Sequence, residues 1–283
     1  MSAGIFSMPD FYIIGSPSLL KLRNLSPIIH PMDLYRFYVP NLPLQGPPEP
    51  FPLPETEAHH ARSVLRLGVG DLIVAFDGRG TWCQAKIVQL GKREALVTPT
   101  TAPVIDPRPS PALTLATAIP KGDRADWLIE QASQLNVTAV QFLDCQRSVV
   151  KPREGVGGGN KLDKWQRLAM ESAKQCGRTH LLEIREPTKL ANISAPAAPP
   201  AHAARVLWLD PDPAGISVSA AVRDWHGDVL ALIGPEGGWS DTEYRILEAA
   251  VASGWLRRVR LTSTVLRIET ACAALAALVM AAR

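Results

Sequence analysis

The second part of the chain alternates short apolar runs of strand length with segments of helical periodicity. Several of the runs are apolar on both faces, which is typical of strands buried in a parallel sheet. This alternation indicates βα units and therefore an α/β fold. The strands that we expect are Leu113–Ile119, Thr138–Leu143, Val206–Leu209, Val229–Ile233 and Arg257–Leu261.

One helical segment combines an apolar stripe with a basic surface. Its apolar residues recur at helical spacing from Leu162 to Cys176. The rest of its surface carries Lys161, Lys164, Arg167, Lys174 and Arg178. A solvated surface helix and a helix that faces RNA both explain this pattern, and charge runs more often just face water.

The most apolar window of the chain is Ala271–Ala282. It holds about a dozen residues, whereas a membrane-spanning helix needs roughly 20, so we expect a buried helix and no membrane span. The N-terminal residues lack the basic start, apolar block and cleavage site of a secretory signal. These features predict a cytoplasmic protein.

A small, mostly β module precedes the α/β region. Asp71–Phe76 and Ala85–Val88 have strand character, and the turn-prone Asp77–Gly80 joins them. Pro-rich stretches separate the parts of the chain as loops, because proline fixes φ and lacks a backbone donor. These stretches are Pro40–Pro54, Thr98–Pro111 and Ala195–Pro200.

The 283 residues suggest two domains and a short leading segment. We expect residues 1–34 to be a poorly ordered N-terminal extension, with Met8 and Met32 as candidate initiators. Residues 35–105 would form the β module, and residues 110–283 the α/β domain.

Composition and charge narrow the class of protein. Hydrophobic residues make up 46% and charged residues 20% of the chain, which excludes wholesale disorder. The net charge is only +3, so binding to a nucleic acid requires a local basic face. The four cysteines lie far apart without a C-x-x-C pair, which argues against a zinc site and a disulfide scaffold.

The segment Ile233–Glu243 leaves an apolar strand, passes through three glycines and a proline, and reaches Ser240, three residues before Glu243. Ser and Glu at this spacing predict a capping box that starts a helix. The carboxyl ends of strands are where α/β sheets bind ligands, and glycines let the backbone approach a nucleotide. A tight turn without a ligand explains the glycines equally well. The segment matches neither a dinucleotide fingerprint nor a P-loop.

The segment Leu261–Ala271 places charged residues beside the apolar last helix. Arg257, Arg258, Arg260 and Arg267 cluster here, and Glu269 lies near the helix start. Glu269 could simply complement the helix dipole with Arg267 as its partner. An active-site role for the pair is equally well supported by the local pattern.

Several motifs in order resemble those of the RsmE-type rRNA methyltransferases of the SPOUT superfamily. The resemblance runs from about Tyr35 to the C-terminus. The matching motifs are His60–Arg66, Phe76–Gly78, Lys121–Arg124, Gln146–Lys151, Gln175–Arg178, Ile233–Gly238 and Val265–Ala271.

The resemblance implies a PUA-like β-barrel followed by a SPOUT domain with a parallel sheet and a deep trefoil knot. It also implies S-adenosylmethionine as cofactor, a homodimer whose partner subunit completes the active site, and no metal. The implied reaction is methylation of N3 of a uridine in 16S (small-subunit) rRNA. The cofactor contacts carried over are Leu209, Ile233, Gly234, Pro235, Gly237, Gly238, Leu261, Val265 and Leu266.

Three positions depart from the family pattern. Thr262 stands where the family usually has glycine, and Thr264 where it usually has arginine or a similar residue, so the cofactor loop would approach its ligand less closely. Asn136 also replaces a usual glycine, and asparagine can adopt the left-handed conformation that glycine supplies.

The implied reaction suggests roles for charged residues. We expect Arg267 to stabilise negative charge on the uracil oxygens, and Glu269 to orient Arg267 or act as general base. Capping of the last helix is the ordinary alternative for Glu269. The predicted RNA contacts are Arg66, Lys121, Arg124, Arg147, Lys151 and Arg178.

Three other functions stay open at this point. The chain could be a non-catalytic rRNA-binding assembly factor, which only Thr262 favours. It could act on a small nucleotide, but the β module and the basic helix would then have no role. It could also methylate another rRNA uridine or a ribose hydroxyl.

Overall fold

The computed structural model describes residues 33–43, 49–152, 160–193, 205–212 and 214–282. Nearly all of the predicted extension over 1–34, and the Pro-rich stretch 195–200, lie outside the described residues. The strands are β1 (Arg36–Tyr38), β2 (Phe51–Pro52), β3 (Leu72–Phe76), β4 (Thr81–Leu90), β5 (Ala95–Pro99), β6 (Val104–Ile105), β7 (Leu113–Ala118), β8 (Ala139–Leu143), β9 (Glu183–Thr188), β10 (Arg205–Leu209), β11 (Ile216–Ser217), β12 (Val229–Ile233) and β13 (Leu256–Arg260). The helices are α1 (Glu55–His59), α2 (Arg124–Gln134), α3 (Asn160–Cys176), α4 (Leu190–Ile193), α5 (Val218–Val222), α6 (Asp241–Ala252) and α7 (Ile268–Ala281), and a π-helical turn, His60–Val64, follows α1.

The first sheet has six strands and forms the β module. Its main path runs β1-β3-β4-β5-β2, and β6 pairs with β4. The predicted hairpin is confirmed, because β3 and β4 pair antiparallel. The Asp77 carboxylate closes its turn by accepting hydrogen bonds from the backbone N–H groups of Arg79 (2.7 Å) and Thr81 (3.0 Å). Phe37 and Ile73 are among the buried residues of this module's core.

The second sheet has seven parallel strands in the order β11-β13-β10-β12-β7-β8-β9. The five predicted strands are confirmed as β7, β8, β10, β12 and β13, with ends that differ by a residue. The pattern missed β9 and β11, which lie at the two edges of the sheet. β9 has no fully buried residue and β11 spans two exposed residues, so neither contains the apolar run that predicts a buried strand.

Helices cover this sheet and complete a second core over residues 113–279. The apolar stripe of α3 is confirmed, with Trp165, Ala169 and Ala173 buried. The predicted buried last helix is α7, which packs against α2, α5 and β7. None of the helices in the described ranges is both long and apolar enough to cross a bilayer.

The β module and the α/β domain belong to one compact unit over residues 31–283. Lys174 of α3 donates to both carboxylate oxygens of Glu57 on α1, at 3.0 and 3.3 Å. Both side chains are at most 8% exposed, so the expectation that Lys174 lies on a basic surface is wrong. Gly80 packs so closely on His180 that an added Cβ would lie 2.4 Å from the imidazole. The junction is therefore tightly packed.

The turn after α2 contains the predicted left-handed asparagine. Asn136 has a φ of +59°, and the backbone N–H of Val137 closes the turn on Ala132 at 2.9 Å. The conformation that glycine usually supplies is therefore present without glycine. The trefoil knot stays a prediction from the family resemblance.

Candidate active site

Loops that follow three adjacent strands enclose a cavity of about 420 Å³. β10 pairs in parallel with β12 on one side and β13 on the other, so their carboxyl ends open on one edge of the sheet. The volume lies within the range of small-molecule sites. The lining residues are Trp208–Pro211, Ile233–Glu236, Gly238, Trp239, Tyr244, Leu261, Thr262, Thr264–Leu266, Ile268 and Ala271.

The cavity brings together eight of the nine residues that the sequence suggested as cofactor contacts. These are Leu209, Ile233, Gly234, Pro235, Gly238, Leu261, Val265 and Leu266. Gly237 does not line the cavity and instead faces the loop after β8. A Cβ at Gly237 would lie 2.9 Å from the carbonyl oxygen of Arg147.

The glycine loop after β12 needs its glycines for close approach and for conformation. At Gly234, an added Cβ would lie 2.9 Å from the Trp239 ring. At Gly238, the φ of +72° is a conformation that other residues rarely adopt, while no atom lies within 4 Å of an added Cβ. The two positions therefore constrain the loop for different physical reasons.

The predicted capping box starts α6 directly after this loop. The Ser240 hydroxyl accepts a hydrogen bond from the Glu243 backbone N–H at 3.2 Å, and the Glu243 carboxylate accepts one from the Ser240 N–H at 2.8 Å. Glu243 also accepts from the backbone N–H of Gln146 at 2.9 Å. The cap thus ties the glycine loop to the Gln146–Lys151 segment.

The opposite wall of the cavity is the loop after β13. The Thr262 hydroxyl donates to the carbonyl of Thr264 at 2.8 Å and accepts from its backbone N–H at 3.2 Å. Thr262 is not among the positive-φ residues of the described chain, so threonine adopts this conformation without strain. Threonine at this position therefore lacks the backbone freedom of glycine, but its hydroxyl forms hydrogen bonds that hold the loop.

A cluster of three carboxylates and one arginine lies beside the cavity, and Asp210 is the member of this cluster that lines it. Arg258 forms an ion pair with Asp212 at 2.8 Å, another with Glu248, and a longer one with Asp210 at 3.9 Å. Three carboxylates thus share one guanidinium, which also lies 4.6 Å from the centre of the Trp208 ring. Sequence reasoning missed Asp210 and Trp208, although both stand at the end of an apolar strand where ligand contacts are expected.

Glu269 is buried near the cavity and interacts with an arginine that the sequence did not suggest as its partner. It lies 4.0 Å from the guanidinium of Arg124, which also lies 3.8 Å from Glu236. Arg267 is the exposed N-cap residue of α7 and makes no side-chain cap hydrogen bond. The expected pairing of Glu269 with Arg267 is therefore replaced by one with Arg124. Glu269 does lie in the first turn of α7, as the dipole argument expected.

The predicted RNA contacts occupy different environments. Arg66 and Lys121 are exposed. Arg147 is half exposed but donates to the carbonyl of Trp239 at 2.9 Å and pairs with Asp241 at 3.0 Å. These contacts hold the glycine loop.

Two other predicted contacts are engaged inside the protein. The Lys151 ammonium donates to the carbonyls of Cys145 and Gln146 at 2.8 and 2.9 Å. Arg178 is 9% exposed and donates to the carbonyl of Ser133 at 3.1 Å. Burial lowers the pKa of Arg178 to about 10. These contacts favour structural roles over the expected phosphate contacts, because each donor already has an internal acceptor.

The Cys145 and Cys272 thiols are poor candidates for a catalytic nucleophile. Burial raises the pKa of the Cys145 and Cys272 thiols to about 12, so neither is an ionised nucleophile at neutral pH. Within the described ranges, no group of three or more histidine, cysteine or carboxylate side chains could hold a metal ion.

Comparison with known proteins decides the family. A family model described as an RNA methyltransferase domain matches residues 107–280, and one described as an RNA methyltransferase PUA domain matches residues 53–100. A Ribosomal RNA small subunit methyltransferase E from Synechocystis is 30% identical over 219 residues, which cover 77% of this chain and 69% of that protein. The chain belongs to the RsmE family of rRNA methyltransferases.

Solved structures agree with this RsmE assignment. A methyltransferase from Legionella pneumophila, solved with bound SAM, has a TM-score of 0.73 and 28% identity, with 88% of this chain and 98% of that chain covered. The small subunit methyltransferase E of Neisseria gonorrhoeae, bound to S-adenosyl methionine, has a TM-score of 0.72 and 26% identity, with coverage of 86% and 95%. The RsmE family fold thus extends over both modules.

Proposed function

We propose that this protein transfers the methyl group of S-adenosylmethionine to N3 of a uridine in 16S rRNA. The observation that supports this most is the cavity at the carboxyl ends of β10, β12 and β13. Eight of the residues expected to contact the cofactor converge there from the ends of β10 and β12 and from the loops after β12 and β13.

The residues around the cavity fit S-adenosylmethionine chemically. Leu261, Leu266 and Ile268 offer an apolar surface to an adenine ring, and the glycine loop offers backbone groups at close range. Asp210 lines the cavity and belongs to the cluster in which three carboxylates share one arginine. A sulfonium and an ammonium group are cations, so the net negative charge of this cluster favours them. When bound, the cofactor supplies an electrophilic methyl group.

The reaction demands that the protein expose the base and weaken the N3–H bond. N3 lies on the Watson–Crick edge, so the uridine must be unpaired or extruded before transfer. In this proposal Arg267 stabilises negative charge on a uracil oxygen, and its exposure leaves it free to contact RNA. Glu269 acts through the arginine beside it, which in this structure is Arg124.

RNA binding in this proposal uses exposed cations on both modules. Arg66 on the β module and Lys121 after β7 are exposed and suit phosphate contacts. Arg147 would add a third, since half of its side chain is exposed. Binding through phosphates predicts an affinity that falls steeply with salt, so a flat salt response would contradict these roles.

The same proposal includes a homodimer that acts on small ribosomal subunits in the cytoplasm. The apolar cavity wall contains Val265, which is 84% exposed in the single chain. A partner subunit that completes the site would cover such a residue, and its burial would be favourable. Sedimentation at micromolar concentration tests the dimer directly, and a monomer there would exclude it.

The experiment that tests the proposal is transfer of labelled methyl groups from S-adenosylmethionine to small ribosomal subunits that lack the modification. Large subunits serve as the control. We expect label in the small subunits alone. Cofactor binding without transfer to any ribosomal RNA would favour the assembly-factor alternative, and absence of cofactor binding would contradict the proposal outright.

A further inference from the structure

Two carboxylates share a single arginine beside the cavity. Arg124 lies 3.8 Å from Glu236 and 4.0 Å from Glu269. Arg124 is the first residue of α2, Glu236 lies in the loop after β12, and Glu269 lies in the first turn of α7. These parts of the chain are far apart in sequence, so no local pattern revealed the cluster.

The three side chains are held differently. The Nε atom of Arg124 donates to the carbonyl of Lys121 at 3.1 Å, which fixes the plane of the guanidinium while its side chain stays 34% exposed. Glu236 lines the cavity, and its side chain is 31% exposed. Glu269 is 8% exposed, and its Oε2 atom is buried without a hydrogen-bond partner. Glu236 and Arg124 are therefore accessible to a substrate, and Glu269 lies behind them.

The Watson–Crick edge of uracil presents an acceptor, a donor and an acceptor in the order O2, N3–H and O4. A protein that binds this edge must offer an acceptor to N3–H and donors to the flanking oxygens. A carboxylate beside a guanidinium supplies one acceptor and one donor in the required order. The second oxygen is left for another donor, the role predicted for Arg267.

We propose that Glu236 is the general base for uridine N3 and that Arg124 donates to the adjacent uracil oxygen. Glu269 is then a positioning residue, which acts on the substrate only through Arg124. The inference rests on the proposed function, because it names the residues that recognise its substrate. It differs from the sequence expectation, which left Glu269 either to orient Arg267 or to act as general base, and which gave Arg124 an RNA contact.

The chemistry balances without another reactant. The N3–H bond breaks and its proton passes to the Glu236 carboxylate. The N3 electron pair forms the new N–C bond to the methyl group, and the C–S bond breaks with its electron pair retained on sulfur. The sulfonium becomes a neutral thioether and the carboxylate becomes a carboxylic acid, so the charges cancel. Arg124 stabilises the negative charge that reaches the uracil oxygen before the N–C bond is complete.

The test uses Glu236→Gln in the full-length protein at saturating cofactor and RNA. A general base typically contributes about 10²- to 10⁴-fold, so we expect a loss of that size at pH 7. The wild-type rate should vary much less than the variant rate over about pH 7 to 9, because a base placed at N3 removes the proton during the reaction and uridine need not ionise beforehand. The variant rate should rise about tenfold per pH unit over the same range. The fraction of uridine that is already ionised at N3 grows by about this factor, and ionised uridine needs no base.

Three further variants complete the test. Arg124→Gln should lower the rate by about 10²-fold without the steep pH dependence, because the base is still present. Glu269→Gln should lower the rate less than Arg124→Gln, and the double variant should be no slower than Arg124→Gln alone. Glu183→Gln removes an exposed carboxylate on β9, at the far edge of the sheet, and should match the wild type.

The outcomes separate this inference from the proposed function. Formation of 3-methyluridine by the wild type supports the proposed function whatever the variants do. Wild-type rates in Glu236→Gln would overturn the assignment of the base. Loss of activity at every pH would also overturn it, because ionised uridine should restore transfer. Calorimetric cofactor titrations of each variant show whether saturation was reached.

Discussion

Gly237 offers a steric test of the glycine loop. A Cβ built on Gly237 lies 2.9 Å from the carbonyl oxygen of Arg147 and 3.3 Å from its Cβ, whereas ordinary contacts are 3.4 to 4 Å. Gly237→Ala must therefore displace backbone by about half an ångström. Overpacking of this kind costs about 1–3 kcal/mol, which is the destabilisation that we expect.

Variants at two other glycines distinguish the cost of a steric clash from the cost of backbone strain. Gly238 has a φ of +72° and no atom within 4 Å of an added Cβ, so Gly238→Ala should cost about 1 kcal/mol from backbone strain alone. Gly68 has neither a positive φ nor a close neighbour, so Gly68→Ala is the matched control and should change stability by less than about 0.5 kcal/mol.

Urea unfolding of the three variants gives the comparison, provided that their m values agree. Calorimetric titration with S-adenosylmethionine should show weaker binding for Gly237→Ala, because the displaced loop forms a cavity wall. If Gly237→Ala unfolds at the same urea concentration as Gly68→Ala, the close approach to Arg147 is wrong. The arrangement of the glycine loop against the Gln146–Lys151 segment would then need revision.

Three further predictions concern local structure. Ser240→Ala removes the hydrogen bond from the Glu243 backbone N–H to the Ser240 hydroxyl and should cost about 1 kcal/mol in urea unfolding; an unchanged midpoint would contradict the cap. Asn136→Ala should cost about 1 kcal/mol because of its φ of +59°, whereas Asn136→Gly should be neutral or stabilising, and equal effects of the two would refute the strain argument. Burial raises the pKa of Glu57 despite its ion pair with Lys174. Because the folded-state pKa exceeds the unfolded one, the stability contributed by Glu57 is fully present below the unfolded pKa and is lost as the pH rises through the folded pKa. Glu57→Gln should therefore lower the urea midpoint more near pH 4 than near pH 7. A larger decrease near pH 7 would show that the ion pair with Lys174 stabilises the ionised carboxylate more than its burial destabilises it.

Features set by local sequence were predictable. The apolar runs gave the five central strands because a buried parallel strand must be apolar on both faces. The spacing of Ser240 and Glu243 was enough to predict the start of α6. Asn136 was correctly expected to be left-handed. The edge strands β9 and β11 were not predicted, because a strand that pairs on one side only tolerates polar residues and shows no continuous apolar run.

Partners that meet through the fold were not predictable. Arg124 and Glu269 are 145 positions apart in sequence, and Arg267 was preferred only because it is near Glu269. Lys174 lies on α3 and Arg178 lies two residues after its end, in a segment whose charges resemble a solvated face, yet both side chains are buried. A charge pattern shows which residues can bind RNA, whereas burial decides which of them are free to do so.

Nucleoside analysis of the modified rRNA tests the central claim most directly. Small ribosomal subunits that lack the modification would be treated with the protein and S-adenosylmethionine, and the digested rRNA examined by mass spectrometry. The account predicts one new nucleoside, 3-methyluridine, derived from 16S rRNA. A methyl group on ribose or on another base would contradict the assignment of N3 and, with it, the pairing of the uracil edge with Glu236 and Arg124.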